Sequence, residues 1–123
     1  MRIALVDDCL DDLSIMHQFL AEALDTDSVI TEFHNGEDFL QHWSADTFDL
    51  IVLDIYMEQL TGIETARGIR ETDPNVCLVF ASTSNEFASE SYEVNACYYL
   101  CKPFLKKHVL AMLDRIGNQN LEV

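Results

Sequence analysis

One stretch of the sequence decides the fold: Phe48-Asp49-Leu50-Ile51-Val52-Leu53-Asp54. Four consecutive apolar residues, from Leu50 to Leu53, end at the carboxylate of Asp54. A short apolar run with β-branched residues is typical of a strand that is buried on both faces of a sheet. Ligands of open α/β sheets bind beyond the carboxyl ends of the strands, so Asp54 is the first candidate functional residue.

Strand and helix patterns alternate on both sides of this stretch. Further strands are predicted near residues 2–6, 29–33, 76–81 and 96–101, and helices near 11–24, 36–43, 63–72, 86–94 and 105–116. The strand at 29–33 has the weakest pattern and is expected at an edge, and Gly117-Asn118 is expected to end the last helix. Five β-α units in succession predict a parallel sheet with helices on both faces.

Composition limits the classes of function. The 123 residues suffice for one domain, and 22 acidic against 7 basic residues give a net charge of −15. Such a domain is expected to repel nucleic acid and anionic membrane surfaces. No apolar run approaches the roughly 20 residues that cross a bilayer, and no signal peptide is visible before the strand that begins at Arg2. We therefore expect a cytoplasmic protein without membrane contact.

The cysteines and histidines do not have metal-site spacing. The four cysteines, at positions 9, 77, 97 and 101, form no C-x-x-C pair, and three of them lie in apolar strand patterns. These three are expected to be buried free thiols. The histidines, at 17, 34, 42 and 108, are scattered, which favours surface or packing roles.

Polar side chains follow four of the predicted strands. Asp7 and Asp8 follow the first, Asp54 ends the third, Ser82 ends the fourth and Lys102 follows the fifth. Each alone is more often a cap, a turn residue or a surface charge, but in a parallel sheet all of them meet at one edge. Three clustered carboxylates repel one another, and Mg²⁺, which takes oxygen ligands, offsets that repulsion. A carboxylate beside a metal and a lysine can act as a nucleophile toward phosphorus.

These motifs resemble the receiver domain of two-component response regulators. The matching residues are Val6-Asp7-Asp8, Leu53-Asp54-Ile55-Tyr56-Met57, Gly62, Ser82 and Lys102-Pro103-Phe104. The resemblance covers the chain from residue 2 to about 117 and implies a flavodoxin-like five-stranded parallel sheet of order 2-1-3-4-5 with helices on both faces. Residues 1–118 would form the receiver, and 119–123 a C-terminal tail or the start of a linker to an absent output domain.

The resemblance also implies a Mg²⁺ site. Asp8 and Asp54 would bind the ion directly, together with the backbone carbonyl of Tyr56, and Asp7 would hold it through water. Glu58 stands where the family often has proline, which adds negative charge near this site.

The roles in phosphoryl transfer follow from the same resemblance. Asp54 would accept the phosphoryl group, Lys102 would bridge the carboxylate and a phosphoryl oxygen, and Ser82 would bond the group once it is present. Tyr99 matches the aromatic switch, which would turn from outward to inward. The Lys102-Pro103 bond would be cis.

The implied function is a phosphorylation-dependent signalling switch, with a sensor histidine kinase as phosphoryl donor. It would catalyse its own phosphoryl transfer and dephosphorylation and no other reaction. The segment from Ser82 to Phe104 is most similar to receivers attached to LytTR-type DNA-binding domains, so the output is expected to be transcriptional. DNA would be bound by that attached domain and not by this one. The surface formed by the fourth helix, fifth strand and fifth helix is a candidate homodimer face.

Other classes of protein fit the sequence less well than a receiver does. The chain is either part of a longer regulator or a stand-alone receiver that acts through protein contacts. A phosphatase of the haloacid dehalogenase type would have Asp-x-Asp at the nucleophile, but here the second position is Tyr56. A flavin mononucleotide carrier would need a phosphate-binding loop where Asp7-Asp8 stands. A degenerate receiver would lack one of the key residues, and none is missing.

Overall fold

The computed structural model describes the backbone of residues 1–121 and the side chains of residues 1–117. The strands are β1 (Arg2–Val6), β2 (Val29–Phe33), β3 (Leu50–Asp54), β4 (Cys77–Ser82) and β5 (Tyr98–Cys101). The helices are α1 (Leu10–Ala23), α2 (Gly36–His42), α3 (Gly62–Thr72), α4 (Ala88–Glu93) and α5 (Lys106–Leu121). All the strands pair in parallel in the order β2-β1-β3-β4-β5, which confirms the predicted topology.

The central strand is β3, and every one of its residues is buried. It lies between β1 and β4, with Val6 paired to Leu53 on one side and Ala81 paired to Asp54 on the other. This register brings the carboxyl ends of three strands to the same level. Residues that directly follow these strands therefore share one edge of the sheet.

A hydrophobic core lies on each face of the sheet. On one face Phe39 of α2 and Ile69 of α3 pack against side chains of the strands. On the other face Leu20 of α1 and Met112 of α5 do the same. All four residues are fully buried. Their burial anchors the helices on the sheet and thereby fixes the loops that precede them.

The loop between β3 and α3 is held by local hydrogen bonds and by one glycine. Thr61 caps α3 through a reciprocal capping box with Glu64. Gly62 lies so close to the end of β3 that an added Cβ would be 2.1 Å from the backbone oxygen of Asp54. The residue must therefore lack a side chain, because the helix begins directly against the backbone of the phosphoacceptor candidate.

One sequence expectation about backbone conformation is confirmed and one is wrong. The Lys102-Pro103 bond is cis, as expected, and Asn95 has a φ of 55°, the left-handed conformation. Gly117 does not end the last helix, since α5 runs on to Leu121. A helical glycine costs only about 1 kcal/mol relative to alanine, so it ends a helix only when the chain also turns there.

The expectation that Cys77, Cys97 and Cys101 are buried is also wrong, although all three are free thiols as expected. Cys101 is exposed, and Cys77 and Cys97 are only half-buried. The apolar runs around all three belong to the ends of β4 and to the edge strand β5, where one side of the backbone faces solvent. Within residues 1–121, no helix is long and apolar enough to cross a membrane.

Candidate functional site

Three carboxylates meet at the carboxyl edge of the sheet. One carboxylate oxygen from each of Asp7, Asp8 and Asp54 lies within 4.8 Å of the other two. Asp7 and Asp54 are buried, whereas Asp8 is exposed. The cluster is therefore a half-enclosed pocket that opens to solvent on the side of Asp8.

Backbone donors hold two of these side chains in place. The N–H of Cys9 donates to Oδ1 of Asp7 at 2.9 Å. The N–H of Glu58, in the loop after β3, donates to Oδ2 of Asp8 at 3.3 Å. Each contact ties a carboxylate to a loop at the same edge, so the oxygens are oriented in the absence of any ligand.

The Lys102 ammonium lies inside the cluster. Its Nζ donates to Oδ2 of Asp7 and to Oδ2 of Asp12, both at 2.8 Å, and lies 3.3 Å from Oδ1 of Asp54. Only 9% of the lysine side chain is exposed. Asp12 was not among the residues predicted for the site, because it belongs to helix α1 and not to a strand end.

Burial and charge shift the protonation equilibria in the pocket. Burial, together with the charge of Asp7, raises the pKa of Asp54 to about 7, although Lys102 opposes that rise. Burial lowers the pKa of Lys102, but hydrogen bonds to Asp12 and Asp7 outweigh it and raise that pKa above its ordinary value. The site thus carries excess negative charge that a single ammonium does not neutralise.

The donor set fits a hard divalent cation. All three clustered groups offer carboxylate oxygens, which are ligands that Mg²⁺ prefers, and no soft ligand lies among them. Burial, and after it the charge of Asp7, raises the pKa of Asp54, and a bound cation would favour the ionised carboxylate. Asp7, Asp8 and Asp54 are therefore the residues that would hold such an ion.

Ser82 lies at the same edge but does not bond the carboxylates. The residue is fully buried, and its Oγ accepts from the N–H of Ser84 at 3.3 Å. Its carbonyl accepts from the N–H of Lys102 at 2.7 Å, which joins the ends of β4 and β5. Ser82 is thus one residue beyond the Ala81–Asp54 pair, next to the phosphoacceptor candidate.

Two tyrosines converge on the loop that follows Ser82. The hydroxyl of Tyr99 donates to the backbone oxygen of Ser84 at 2.5 Å. Burial raises the pKa of Tyr99 above its ordinary value, and the nearby Ser82 hydroxyl offsets only part of that rise. The hydroxyl of Tyr56 donates to Glu86, so its side chain points away from the carboxylates toward the same loop. The half-buried Tyr99 is thus hydrogen-bonded to this loop. The predicted turn of its ring from outward to inward stays a prediction.

A parallel sheet of this order with an acidic pocket and a lysine at its carboxyl edge defines a class of phosphoacceptor signalling domains. The chain matches the family model described as the response regulator receiver domain over residues 3–114. It therefore belongs to the response regulator receiver family. This membership favours the receiver reading over the phosphatase and flavin-carrier alternatives.

Curated relatives include sensory transduction proteins named LytR. The protein from Staphylococcus epidermidis is 32% identical over 99 residues, which are 80% of this chain and 39% of that protein. The one from Staphylococcus haemolyticus is 29% identical over 119 residues, or 97% of this chain and 46% of that protein. The chain therefore spans less than half the length of these relatives.

Solved structures agree with the fold. The response regulator DrrB of Thermotoga maritima superposes with a TM-score of 0.81 at 28% identity, covering 97% of this chain and 53% of that chain. A structure described as the BeF3-activated DrrB receiver domain gives a TM-score of 0.80 at 29% identity, covering 95% of this chain and 97% of that chain.

Proposed function

We propose that this receiver accepts a phosphoryl group on Asp54 from a sensor histidine kinase, with Mg²⁺ as cofactor, and changes its output surface in response. One observation carries the proposal: a buried carboxylate with a pKa raised to about 7 lies 3.3 Å from a buried ammonium, beside two more carboxylates. A carboxylate that only caps a helix or carries a surface charge is not normally buried beside an ammonium and two other carboxylates.

The transfer is a displacement at phosphorus. An Asp54 carboxylate oxygen attacks the phosphorus of a phosphohistidine, the P–N bond breaks, and the imidazole nitrogen leaves with the electron pair of that bond. The product is an aspartyl phosphate, and water later hydrolyses it to inorganic phosphate and the free carboxylate. When bound, Mg²⁺ supplies positive charge that offsets the negative charge of the phosphoryl oxygens. Asp8 and Asp54, with the carbonyl of Tyr56, would bind the ion directly, and Asp7 through water.

Lys102 and Ser82 act on the phosphoryl group itself. The ammonium of Lys102 is within reach of the Asp54 carboxylate, so it can neutralise one phosphoryl oxygen as charge develops. Ser82 would turn its hydroxyl from the Ser84 N–H to another phosphoryl oxygen. This turn would move the Ser82 hydroxyl away from Tyr99. The ring of Tyr99 would then move inward and alter the surface formed by α4, β5 and α5.

The altered surface is the proposed output. We assign residues 1–118 to the receiver and 119–123 to a tail or linker, and we propose that the α4-β5-α5 face forms a homodimer when Asp54 is phosphorylated. A relative named transcriptional regulatory protein LytR supports a transcriptional output. We propose that this output is an attached DNA-binding domain and that the protein acts in the cytoplasm. A stand-alone receiver that acts through protein contacts alone is the alternative. The domain acts on itself and on no separate substrate.

Acetyl phosphate with Mg²⁺ tests the proposal directly. Intact-mass spectrometry should detect the addition of one phosphoryl group to the wild type, and chelation of the metal should abolish it. Asp54→Asn, which keeps the size of the side chain, should remain unmodified. Phosphorylation of Asp54→Asn at the wild-type level would place the acceptor elsewhere and refute the assignment.

A further inference from the structure

We propose that Asp12 is a positioning residue that holds the Lys102 ammonium back from the phosphoacceptor and so limits the rate of phosphorylation. The inference rests on the proposed function, because it concerns the reaction at Asp54. Asp12 belongs to helix α1 and not to the strand ends from which the other residues of the pocket come.

Two of the three N–H groups of the ammonium are already used. They donate to Asp7 and Asp12, whereas Asp54 forms only an ion pair with the ammonium. The contacts to Asp7 and Asp12 are 2.8 Å, shorter than the 3.3 Å to Asp54. Lys102 therefore lies closer to the carboxylates of Asp7 and Asp12 than to that of Asp54, the proposed phosphoacceptor.

The two competing carboxylates differ in what else they can bind. Asp7 belongs to the acidic cluster that fits a cation, whereas Asp12 is outside that cluster. Within the described residues, the side-chain oxygens of Asp12 bond to Lys102 alone. A cation can thus withdraw Asp7 from the lysine, but Asp12 continues to compete with a phosphoryl oxygen for the same ammonium.

The charge of Asp12 acts in the same direction. With one third of its side chain exposed, this carboxylate lies at the rim of the pocket, 2.8 Å from the ammonium that a phosphoryl group must reach. A negative rim repels an anionic donor. Removing the charge should free one N–H of Lys102 and reduce the repulsion, and both effects favour transfer.

Asp11 is a matched control. It precedes Asp12 in the same first turn of α1 and carries the same charge, but it is exposed, and within residues 1–121 it makes no hydrogen bond or ion pair with a described side chain. Asp11→Asn therefore removes the same net charge and the same favourable helix-dipole interaction without touching Lys102.

The experiment compares wild type, Asp11→Asn and Asp12→Asn. For each protein, the rate of phosphorylation by acetyl phosphate and the dissociation constant for beryllofluoride are measured at saturating Mg²⁺. Asp12→Asn should react about fivefold faster and bind beryllofluoride about fivefold more tightly, the size expected of one partly exposed ion pair. Asp11→Asn should stay within about twofold of the wild type, as expected of an exposed charge.

A double-mutant cycle separates positioning from general electrostatics. In a Lys102→Met background, Asp12→Asn should tighten beryllofluoride binding no more than Asp11→Asn does, because the ammonium is gone and only the general repulsion of an anion remains. If Asp12→Asn proves too unstable, Asp12→Ala gives the same comparison. Equal values for the Asp11 and Asp12 variants, or slower reaction of Asp12→Asn, would overturn the inference. If even the wild type is not phosphorylated, the proposed function fails instead.

Discussion

Replacing Asp54 by asparagine should stabilise the metal-free protein. Asp54 is 5% exposed, and the charge of Asp7 opposes its ionisation. Asparagine keeps the shape of the side chain but removes the buried charge and its repulsion. The native state should therefore gain free energy relative to the unfolded state, even though the contact with Lys102 weakens.

The size of this gain follows from the pKa of Asp54. Its rise from 3.8 to about 7, at about 1.4 kcal/mol per pKa unit, sets an upper bound of about 4 kcal/mol. That rise already includes the attraction of Lys102, which lowers the pKa of Asp54, so the contact is not subtracted a second time. A stabilisation of up to about 4 kcal/mol is therefore expected above neutral pH.

The sign of the pH dependence is fixed by the same shift. Between pH 3.8 and about pH 7 the folded protein binds more protons at Asp54 than the unfolded chain does. Asp54 therefore destabilises the wild type progressively as the pH rises through that window. The advantage of Asp54→Asn should therefore be present at about pH 8 and should shrink toward about pH 5.

Urea denaturation in the presence of a chelator, at both pH values, measures the difference. Asp11→Asn serves as the control for net charge, since it removes an exposed carboxylate from the same edge of the molecule. Added Mg²⁺ should stabilise the wild type more than Asp54→Asn. A variant less stable than the wild type at about pH 8, or a difference that does not change with pH, would refute the conclusion that burial and the charge of Asp7 oppose the ionisation of Asp54.

Three further outcomes follow from individual contacts. Gly62→Ala should destabilise the fold by about 2–3 kcal/mol in thermal denaturation, because its Cβ would overlap backbone, whereas Gly117→Ala, with open space around it, should cause no loss. Hydrogen bonds from Arg2 lower the pKa of Asp49, so Asp49→Asn should reduce stability at neutral pH, and the difference should vanish in acid as the wild-type carboxyl protonates. Ser82→Ala should still accept the phosphoryl group but fail to associate in sedimentation with beryllofluoride and Mg²⁺, and association equal to that of the wild type would exclude Ser82 as the coupling residue.

The sequence was sufficient to predict the fold and the meeting of the acidic residues because both depend on strand periodicity. A residue at the end of a buried parallel strand can lie at only one edge of the sheet, so the sequence alone predicts that Asp7, Asp54 and Lys102 meet. The contact of Asp12 with Lys102 depends on how α1 is rotated and on the path of a long side chain, and neither is encoded in periodicity.

Contacts between backbone segments were equally inaccessible. Gly62 was recognised through resemblance alone, whereas the structure gives the cause, the approach of α3 to the backbone of Asp54. The cysteine prediction failed for a related reason. Apolar neighbours predict a strand, but they do not show that Cys101 ends an edge strand where its side chain faces solvent.

The features that destabilise the pocket are also those that suit it to switching. A ligand shifts a conformational equilibrium only by its differential interaction with the two states, so a resting site with satisfied charges would have little to gain from a phosphoryl group. Here burial and Asp7 raise the pKa of Asp54, and the ammonium is shared among three carboxylates. A cation and a phosphoryl group together would relieve the repulsion and draw Lys102 to one partner. The free energy released at the strand ends is then available to move Ser82 and, through the loop that both hydroxyls contact, the ring of Tyr99.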